Sequence, residues 1–173
     1  MKLNKIISKE DMAKRTVELA KELSDHIGEK ENPVFIAVLK GGFIFAADLL
    51  REYPFSAEVD FIKAKSYIGK QSSGKIEIQY FPERELNGKT VILIEDIVDT
   101  GKTLKYLKKF ILDKGAKKVL ICSMINRIIK DREINPDFSG FPVEDSRFLV
   151  GYGLDVDEQY RLLHDVFAIE EKK

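Results

Sequence analysis

Three apolar runs constrain the fold of this chain more than any other feature of its sequence. They cover residues 34–39, 91–94 and 119–125, of which only the last contains a polar residue, Ser123. A strand that is buried on both faces of a parallel sheet typically has such an apolar run. Segments with helical spacing of apolar residues lie between the runs, and this alternation is typical of α/β proteins. The sequence therefore predicts a central twisted parallel sheet flanked by helices.

The first helix has the clearest predicted boundaries. Ser8 and Asp11 have the spacing of a capping box, and Gly28 follows the last apolar residue of the helical pattern. Asn87 and Gly88 predict a turn before the second apolar run. Weaker patterns predict helices over 43–50 and 102–113, and strands over 59–63, 76–80, 148–152 and 165–169.

Length and composition limit the classes of protein that remain. The chain has 173 residues, which suits a single domain over 1–173. Lys plus Arg equals Asp plus Glu, 29 against 29, which excludes a protein held on nucleic acid by a bulk positive charge. The single cysteine, Cys122, excludes a disulfide framework and a multi-cysteine metal site. No apolar run reaches the roughly 18 residues of a membrane helix and the first residues do not form a secretory signal, so we expect a cytoplasmic protein.

Polar residues follow the three apolar runs at their carboxyl ends, where parallel sheets bind ligands. Lys40 follows the first run, Glu95 and Asp96 follow the second, and Arg127 lies just after the third. The two acids lead into a short loop over 99–103 that opens a predicted helix. Because backbone N–H groups of such a loop point to the same place as a helix N-terminus, the segment predicts an anion site.

Two known phosphate-binding motifs do not fit this segment. Gly101-Lys102-Thr103 lacks the earlier glycine of a P-loop, because Asp96 stands at that position. No Gly-x-Gly-x-x-Gly follows a predicted strand either. Two adjacent acids would repel a phosphate unless they also bind sugar hydroxyls, a metal ion or both. A phosphorylated ribose has the phosphate and the cis-diol that such a site would bind.

The segment from Val91 to Leu104 resembles the phosphoribosyl-pyrophosphate signature of the type I phosphoribosyltransferases. The resemblance extends over nearly the whole chain and is closest to the hypoxanthine-guanine branch. It implies the type I phosphoribosyltransferase fold, with a small hood formed by the N- and C-terminal segments. It also implies that Glu95 and Asp96 hold the ribose hydroxyls, directly or through Mg²⁺, and that Asp99 is the catalytic base for purine N7. The 5′-phosphate would lie in the loop of Asp99, Thr100, Gly101, Lys102 and Thr103.

The remaining contacts implied by the resemblance come from segments outside the signature. Lys40 and Gly41, where the family often has a cis peptide, would bind pyrophosphate together with Arg161. Ser66 and Tyr67 would open a mobile loop that closes over the reactants. The purine would be bound by Arg127, which replaces the family's usual lysine, and by Phe148, Leu149 and Asp155, of which Asp155 would also bind a second Mg²⁺ through water.

Without the resemblance, simpler interpretations of the same residues remain open. Asp99 fits a turn or helix cap, and Lys40 with Gly41 fits a common strand-exit turn. Phe148 fits a core aromatic residue, because aromatic residues at strand positions are usually buried. The polar segment from Ser66 to Lys75 fits a plain surface loop, Asp155 a turn acid, and Arg127 a solvent-facing strand end.

The resemblance implies an enzyme of purine salvage. It would transfer 5-phosphoribosyl from phosphoribosyl pyrophosphate (PRPP) to N9 of hypoxanthine or guanine, with Mg²⁺ as cofactor. Its partners would be these small molecules, without nucleic acid or membrane, and the family suggests a homodimer or homotetramer. Two alternatives remain: an enzyme of the same fold that prefers xanthine, and a non-catalytic regulator that senses nucleotides.

Overall fold

A six-stranded sheet forms the centre of the protein. The computed structural model describes residues 2–66 and 76–170. The strand order is β4-β3-β2-β5-β6-β7, and every neighbouring pair is parallel except β3 and β4. The predicted parallel sheet is therefore confirmed, with an antiparallel strand at one edge. The strands are β2 (Val34–Leu39), β3 (Glu58–Ser66), β4 (Ile76–Tyr80), β5 (Thr90–Val98), β6 (Lys118–Arg127) and β7 (Phe138–Val143).

Helices cover both faces of this sheet. They are α1 (Lys9–Ile27), α2 (Phe43–Glu52) and α3 (Lys102–Asp113). Alternate residues of β2 and β5 point to opposite faces: Phe35 and Ile92 pack in the core with α1 and α2, whereas Ile36 and Leu93 pack in the core with α3. Burial on both faces is the reason that these strands are unbroken apolar runs.

The ends of α1 follow the predicted capping. The Asp11 backbone N–H donates to Ser8 Oγ at 3.1 Å, and the Gly28 N–H donates to the Ser24 carbonyl oxygen at 2.9 Å. Gly28 has φ +85°, a left-handed conformation that glycine adopts without a steric penalty. The helix therefore begins and ends at the residues that the sequence indicates.

A second, three-stranded sheet forms the expected hood. Its order is β1-β9-β8, with β1 at Lys2–Ile7, β8 at Leu149–Val150 and β9 at Val166–Glu170. All its pairings are antiparallel. Ile7, Leu149 and Val166 of the hood lie in the core with α1 and α2. Hydrogen bonds add to this packing: Tyr152 Oη donates to Asp48 Oδ2 at 2.8 Å, and the Lys9 N–H donates to Asp165 Oδ1 at 2.8 Å.

Two strands were not predicted, β1 and β7. The first is a six-residue segment, Lys2–Ile7, in which polar and apolar residues do not alternate, and the second contains Gly140 and Pro142. Proline is tolerated in β7 because this strand lies at the edge of the sheet. Within the described ranges, none of the helices combines the length and the apolar character that crossing a membrane requires.

Candidate active site

A cavity of about 920 Å³ lies between the carboxyl ends of the central strands and the hood. A smaller cavity of about 280 Å³ shares Asp96, Ile97 and Asp99 with it and extends along the loop 99–103. The two cavities are therefore neighbours: one lies beside the loop 99–103, called the anion loop below, and the other lies beneath the hood. The large cavity brings together residues from all the predicted contact groups except the mobile loop: Lys40, Gly41, Asp96, Asp99, Arg127, Phe148, Leu149, Asp155 and Arg161.

The two signature acids sit at the end of β5 in a buried environment. Asp96 is only 8% exposed, and its Oδ1 accepts a hydrogen bond from the Ile97 N–H at 2.7 Å. Burial raises the pKa of Glu95 well above its usual range, and the neighbouring Asp96 raises it further. Burial likewise raises the pKa of Asp96. Adjacent buried carboxylates favour a partner that donates protons or positive charge, such as a diol or a cation.

The anion loop is held in place from behind by a neighbouring segment. Gly101 has φ +73°, and a side chain there would lie 2.8 Å from Ile134 Cγ2. The Glu133 N–H donates to the Thr100 carbonyl oxygen at 2.9 Å. Thr100 and Lys102 are exposed at the open side of the loop. The loop thus has a fixed backbone and an accessible face at the N-terminus of α3, as an anion site requires.

The backbone of the turn after β2 lies directly against Asp96. The Leu39–Lys40 peptide bond is cis, as the family often has it. A Cβ atom at Gly41 would lie 1.8 Å from Asp96 Oδ2, and one at Gly153 would lie 2.1 Å from the Gly41 carbonyl oxygen. Only glycine fits at these two positions, which join the turn to β5 on one side and to the hood on the other.

Two cations reach the cavity above this turn. Lys40 Nζ lies 2.9 Å from Glu158 Oε1. Arg161 Nη2 lies 2.7 Å from Asp155 Oδ1 and 3.3 Å from Glu158 Oε2, and Arg161 Nη1 donates to the Gly153 carbonyl oxygen. The structure therefore places the two predicted pyrophosphate cations next to each other, with acidic side chains between them.

Arg127 enters the cavity from the end of β6, and most of its hydrogen bonds go to backbone carbonyl oxygens. Its Nη1 donates to the Asp145 carbonyl oxygen, and both Nη1 and Nη2 lie 3.3 Å from the Arg147 carbonyl oxygen. Arg127 Nε is buried, has no hydrogen-bond partner within the described residues, and lies 3.8 Å from Asp99 Oδ1. Arg127 thus connects the anion loop with the segment that leads into β8, and it does not face solvent.

Phe148 is not a core residue. It is 58% exposed and lines the cavity, whereas the next residue, Leu149, is 3% exposed and pairs with Ala168 in the hood. An exposed aromatic ring beside a cavity offers a flat apolar surface to a planar ligand. The interpretation of Phe148 as part of the core is therefore wrong.

Several cavity residues were not identified from the sequence. Arg147 binds the Asp145 carboxylate through Nη2 at 2.6 Å and Nε at 3.0 Å, and both residues line the cavity beside Phe148. This hydrogen bonding lowers the pKa of Asp145 to about 2. Glu158 lines the cavity as well. An Asp and an Arg two residues apart, or an acid in a turn, carry no local signal that separates them from ordinary surface charges.

The predicted mobile loop lies mostly outside the described residues. Ser66 is the last residue of β3, and Tyr67 is not among the residues that the structure describes.

The three proposed metal ligands do not form one group. Glu95 and Asp96 are adjacent in sequence, while Asp155 is ion-paired with Arg161. In the part of the chain that the structure describes, no group of three or more His, Cys, Asp or Glu residues is placed to hold a metal ion.

Comparison with known proteins places the chain in a family. Residues 4–157 match the phosphoribosyl transferase domain. A hypoxanthine-guanine phosphoribosyltransferase from Aquifex aeolicus is 40% identical over 98% of this chain and 96% of its own length. A hypoxanthine-guanine-xanthine phosphoribosyltransferase from Tritrichomonas foetus is 34% identical over 96% of this chain and 91% of its own length.

The fold comparison agrees with the sequence comparison. The crystal structure of a hypoxanthine phosphoribosyltransferase from Staphylococcus aureus superposes with a TM-score of 0.90 at 27% identity, covering 96% of this chain and 91% of that one. The chain belongs to the phosphoribosyltransferase family, in its hypoxanthine-guanine branch.

Proposed function

We propose that this protein is an enzyme of purine salvage that transfers 5-phosphoribosyl from PRPP to N9 of hypoxanthine or guanine and releases pyrophosphate. One observation carries the proposal: buried acids, an anion loop, two cations and an exposed phenylalanine share adjoining cavities. PRPP needs the first three of these features, and a purine needs the fourth. The relatives in the hypoxanthine-guanine branch support the same substrates.

Asp99 is the proposed catalytic base. Its side chain is 56% exposed and lines both cavities, so it can reach the boundary between sugar and purine. A carboxylate there can accept the proton of purine N7 while N9 attacks C1′, and its negative charge stabilises the positive charge that develops on the ribose. Arg127 Nε lies 3.8 Å from Asp99 Oδ1, so the two side chains meet at that boundary.

The other residues bind and orient the two substrates. Backbone and side-chain groups of Thr100, Gly101, Lys102 and Thr103 bind the 5′-phosphate, and Lys40, Gly41 and Arg161 bind pyrophosphate. Phe148 stacks on the purine, and Leu149 presents backbone groups to its edge. Asp155 lies at the purine side, where it can also act on a metal through water. Arg127 donates toward the 6-oxo group, which favours 6-oxopurines over adenine because adenine has a donor at that position.

The acids fit Mg²⁺ bound jointly with PRPP better than Mg²⁺ bound by protein alone. Mg²⁺ in phosphate-transfer sites commonly uses one or two carboxylates, substrate phosphates and waters. Glu95 and Asp96 supply such a carboxylate pair, and because burial raises the pKa of each acid, a bound cation would stabilise their ionised forms. When bound, the ion would neutralise charge on the pyrophosphate leaving group.

Steady-state rates with PRPP and each of four bases test the proposed function. We expect turnover with hypoxanthine and guanine, and at least about fivefold lower kcat/KM with adenine, since one mismatched buried hydrogen bond costs about 1–3 kcal/mol. A higher kcat/KM with xanthine than with hypoxanthine would indicate the xanthine-preferring alternative. If no base turns over and the protein retards labelled nucleic acid at physiological salt, it is a regulator and the proposal is wrong.

A further inference from the structure

Glu158 is the acidic side chain that touches both proposed pyrophosphate cations. Its Oε1 lies 2.9 Å from Lys40 Nζ, and its Oε2 lies 3.3 Å from Arg161 Nη2. Lys40 comes from the turn after β2 and Arg161 from the hood, so one carboxylate bridges two separate parts of the molecule. Two oxygens with shared negative charge, each facing one cation, resemble what a diphosphate would present at the same place.

The backbone holds Glu158 in this position, although its side chain is mostly in solvent. The side chain is 65% exposed. The residue has φ +61°, and its N–H donates to Asp155 Oδ2 at 2.9 Å. Lys40, followed by Arg161, lowers the pKa of Glu158, so the carboxylate is ionised at neutral pH. An exposed side chain on a fixed backbone can swing away without disturbing the fold.

The two cations differ in how much they depend on Glu158. Arg161 is 13% exposed and keeps its contacts with Asp155 and the Gly153 carbonyl oxygen whether or not Glu158 is present. Lys40 is 53% exposed, and Glu158 is its ion-pair partner among the described residues. Displacing the carboxylate would therefore release Lys40 for a new anion and leave Arg161 in place to receive it.

We propose that Glu158 is an internal counter-ion that occupies the pyrophosphate subsite of the free enzyme and competes with the pyrophosphate group for Lys40 and Arg161. This inference rests on the proposed function. The carboxylate keeps the two cations together before substrate arrives, and it returns to them as pyrophosphate leaves. Competition of this kind weakens pyrophosphate binding and speeds its release, which limits turnover in many transferases.

Binding of inorganic pyrophosphate, measured by calorimetry with excess Mg²⁺, tests this role directly. Glu158→Gln removes the competing charge and keeps the size of the side chain. We expect its Kd for pyrophosphate to fall about fivefold, since exposed ion pairs contribute up to about 1 kcal/mol. Asp157→Asn is the matched control, because it changes the net charge by the same amount as Glu158→Gln. Asp157 is the adjacent exposed acid and does not line the cavity. Its Kd should stay within about twofold of that of the unaltered protein.

Steady-state kinetics separate competition from structural damage. With hypoxanthine saturating, Glu158→Gln should lower KM for PRPP and should not raise kcat, whereas a damaged site raises KM. An unchanged or higher Kd for pyrophosphate in Glu158→Gln, or an equal fall in Asp157→Asn, overturns the counter-ion role alone. If the unaltered protein neither binds pyrophosphate nor turns over hypoxanthine, the proposed function fails and this inference fails with it.

Discussion

The two ends of the active-site cavity are built in different ways. The phosphoribosyl end consists of one continuous segment, from Glu95 to Thr103, that runs from β5 into α3. Backbone hydrogen bonds and close packing against Ile134 hold it. The purine end is assembled from β6, the segment 144–149 and the hood, and side-chain contacts of Arg127 and Arg147 hold it. One end is fixed by backbone geometry and the other by charged side chains.

This difference matches what each end has to recognise. A phosphate has the same shape in every PRPP molecule, and a rigid backbone cradle suits it. Purine bases differ in a few groups along the ring edge. A site built from separate side chains can discriminate between them, because each side chain contacts one of these groups. We therefore expect substitutions at the phosphoribosyl end to have the larger effects on kcat or on KM for PRPP, and substitutions at the purine end to shift affinity or preference for the base.

The largest expected effect is at Asp99. Asp99→Asn removes the base and keeps the side-chain size, so kcat with hypoxanthine should fall about a hundredfold, the lower end of the usual contribution of general base catalysis. KM for PRPP should change little. Asp25→Asn, on the exposed face of α1, is the control and should be fully active. An unchanged kcat in Asp99→Asn would mean that another group removes the N7 proton.

The next effect tests whether the backbone cradle is rigid. Gly101→Ala should raise KM for PRPP roughly thirtyfold, because a non-glycine residue at positive φ costs about 1–2 kcal/mol and the new methyl meets Ile134. Gly88→Ala is a close control, with φ +71° and no atom within 4 Å of the added methyl. Both variants should unfold at lower urea concentration. Equal KM values for PRPP in Gly101→Ala and Gly88→Ala would show that the loop 99–103 adapts to the added methyl group and is not rigid.

A smaller effect is expected at the purine end. Phe148→Ala removes the exposed ring and should raise KM for hypoxanthine about tenfold, because stacking of a base on an aromatic ring contributes about 1–3 kcal/mol. KM for PRPP should not change. Tyr106→Ala, an exposed aromatic residue on α3, controls for general surface effects. A matching rise in KM for PRPP would contradict the separation of the two ends.

The smallest effect concerns the charged side chains that support Phe148. Hydrogen bonds from Arg147 lower the pKa of Asp145 from 3.8 to about 2. A lowered pKa stabilises the folded state above pH 3.8, and this stabilisation is lost as the pH falls through about 2. Asp145→Asn should therefore reduce the free energy of unfolding by up to about 1 kcal/mol at neutral pH and by almost nothing near pH 2.

Urea unfolding at several pH values measures that difference. Asp113→Asn removes an exposed ion pair with Lys109 and serves as the comparison, since its carboxylate is 61% exposed. If the free energies of unfolding of Asp145→Asn and of the unaltered protein differ by the same amount at all pH values, the charge of Asp145 does not stabilise the fold through Arg147.

The same division explains how much of the molecule the sequence could predict. The end that lies in one segment could be found from adjacent residues: a buried strand, two acids, a glycine and a helix start. The core strands could be found because burial on both faces makes their composition distinctive. Glu158 could not be found, because its partner Lys40 lies far away in the chain, and Arg147 could not be found, because an Asp and an Arg two residues apart look like ordinary surface charges. Strand β1 escaped prediction for a related reason, since half of its environment is supplied by β9.

The pairing of β1 with β9 has a consequence for the newly made polypeptide. Lys2 pairs with Glu170, and Ile7 with Val166, so β1 has to wait until β9 has been made. The central sheet and the anion loop are complete in sequence once β7 has emerged from the ribosome, whereas β8 then still lacks its partner. A nascent chain therefore has the means to bind a phosphate before it has a place for a purine. The sheet that carries the purine end is complete only after β9 has emerged and paired with β8.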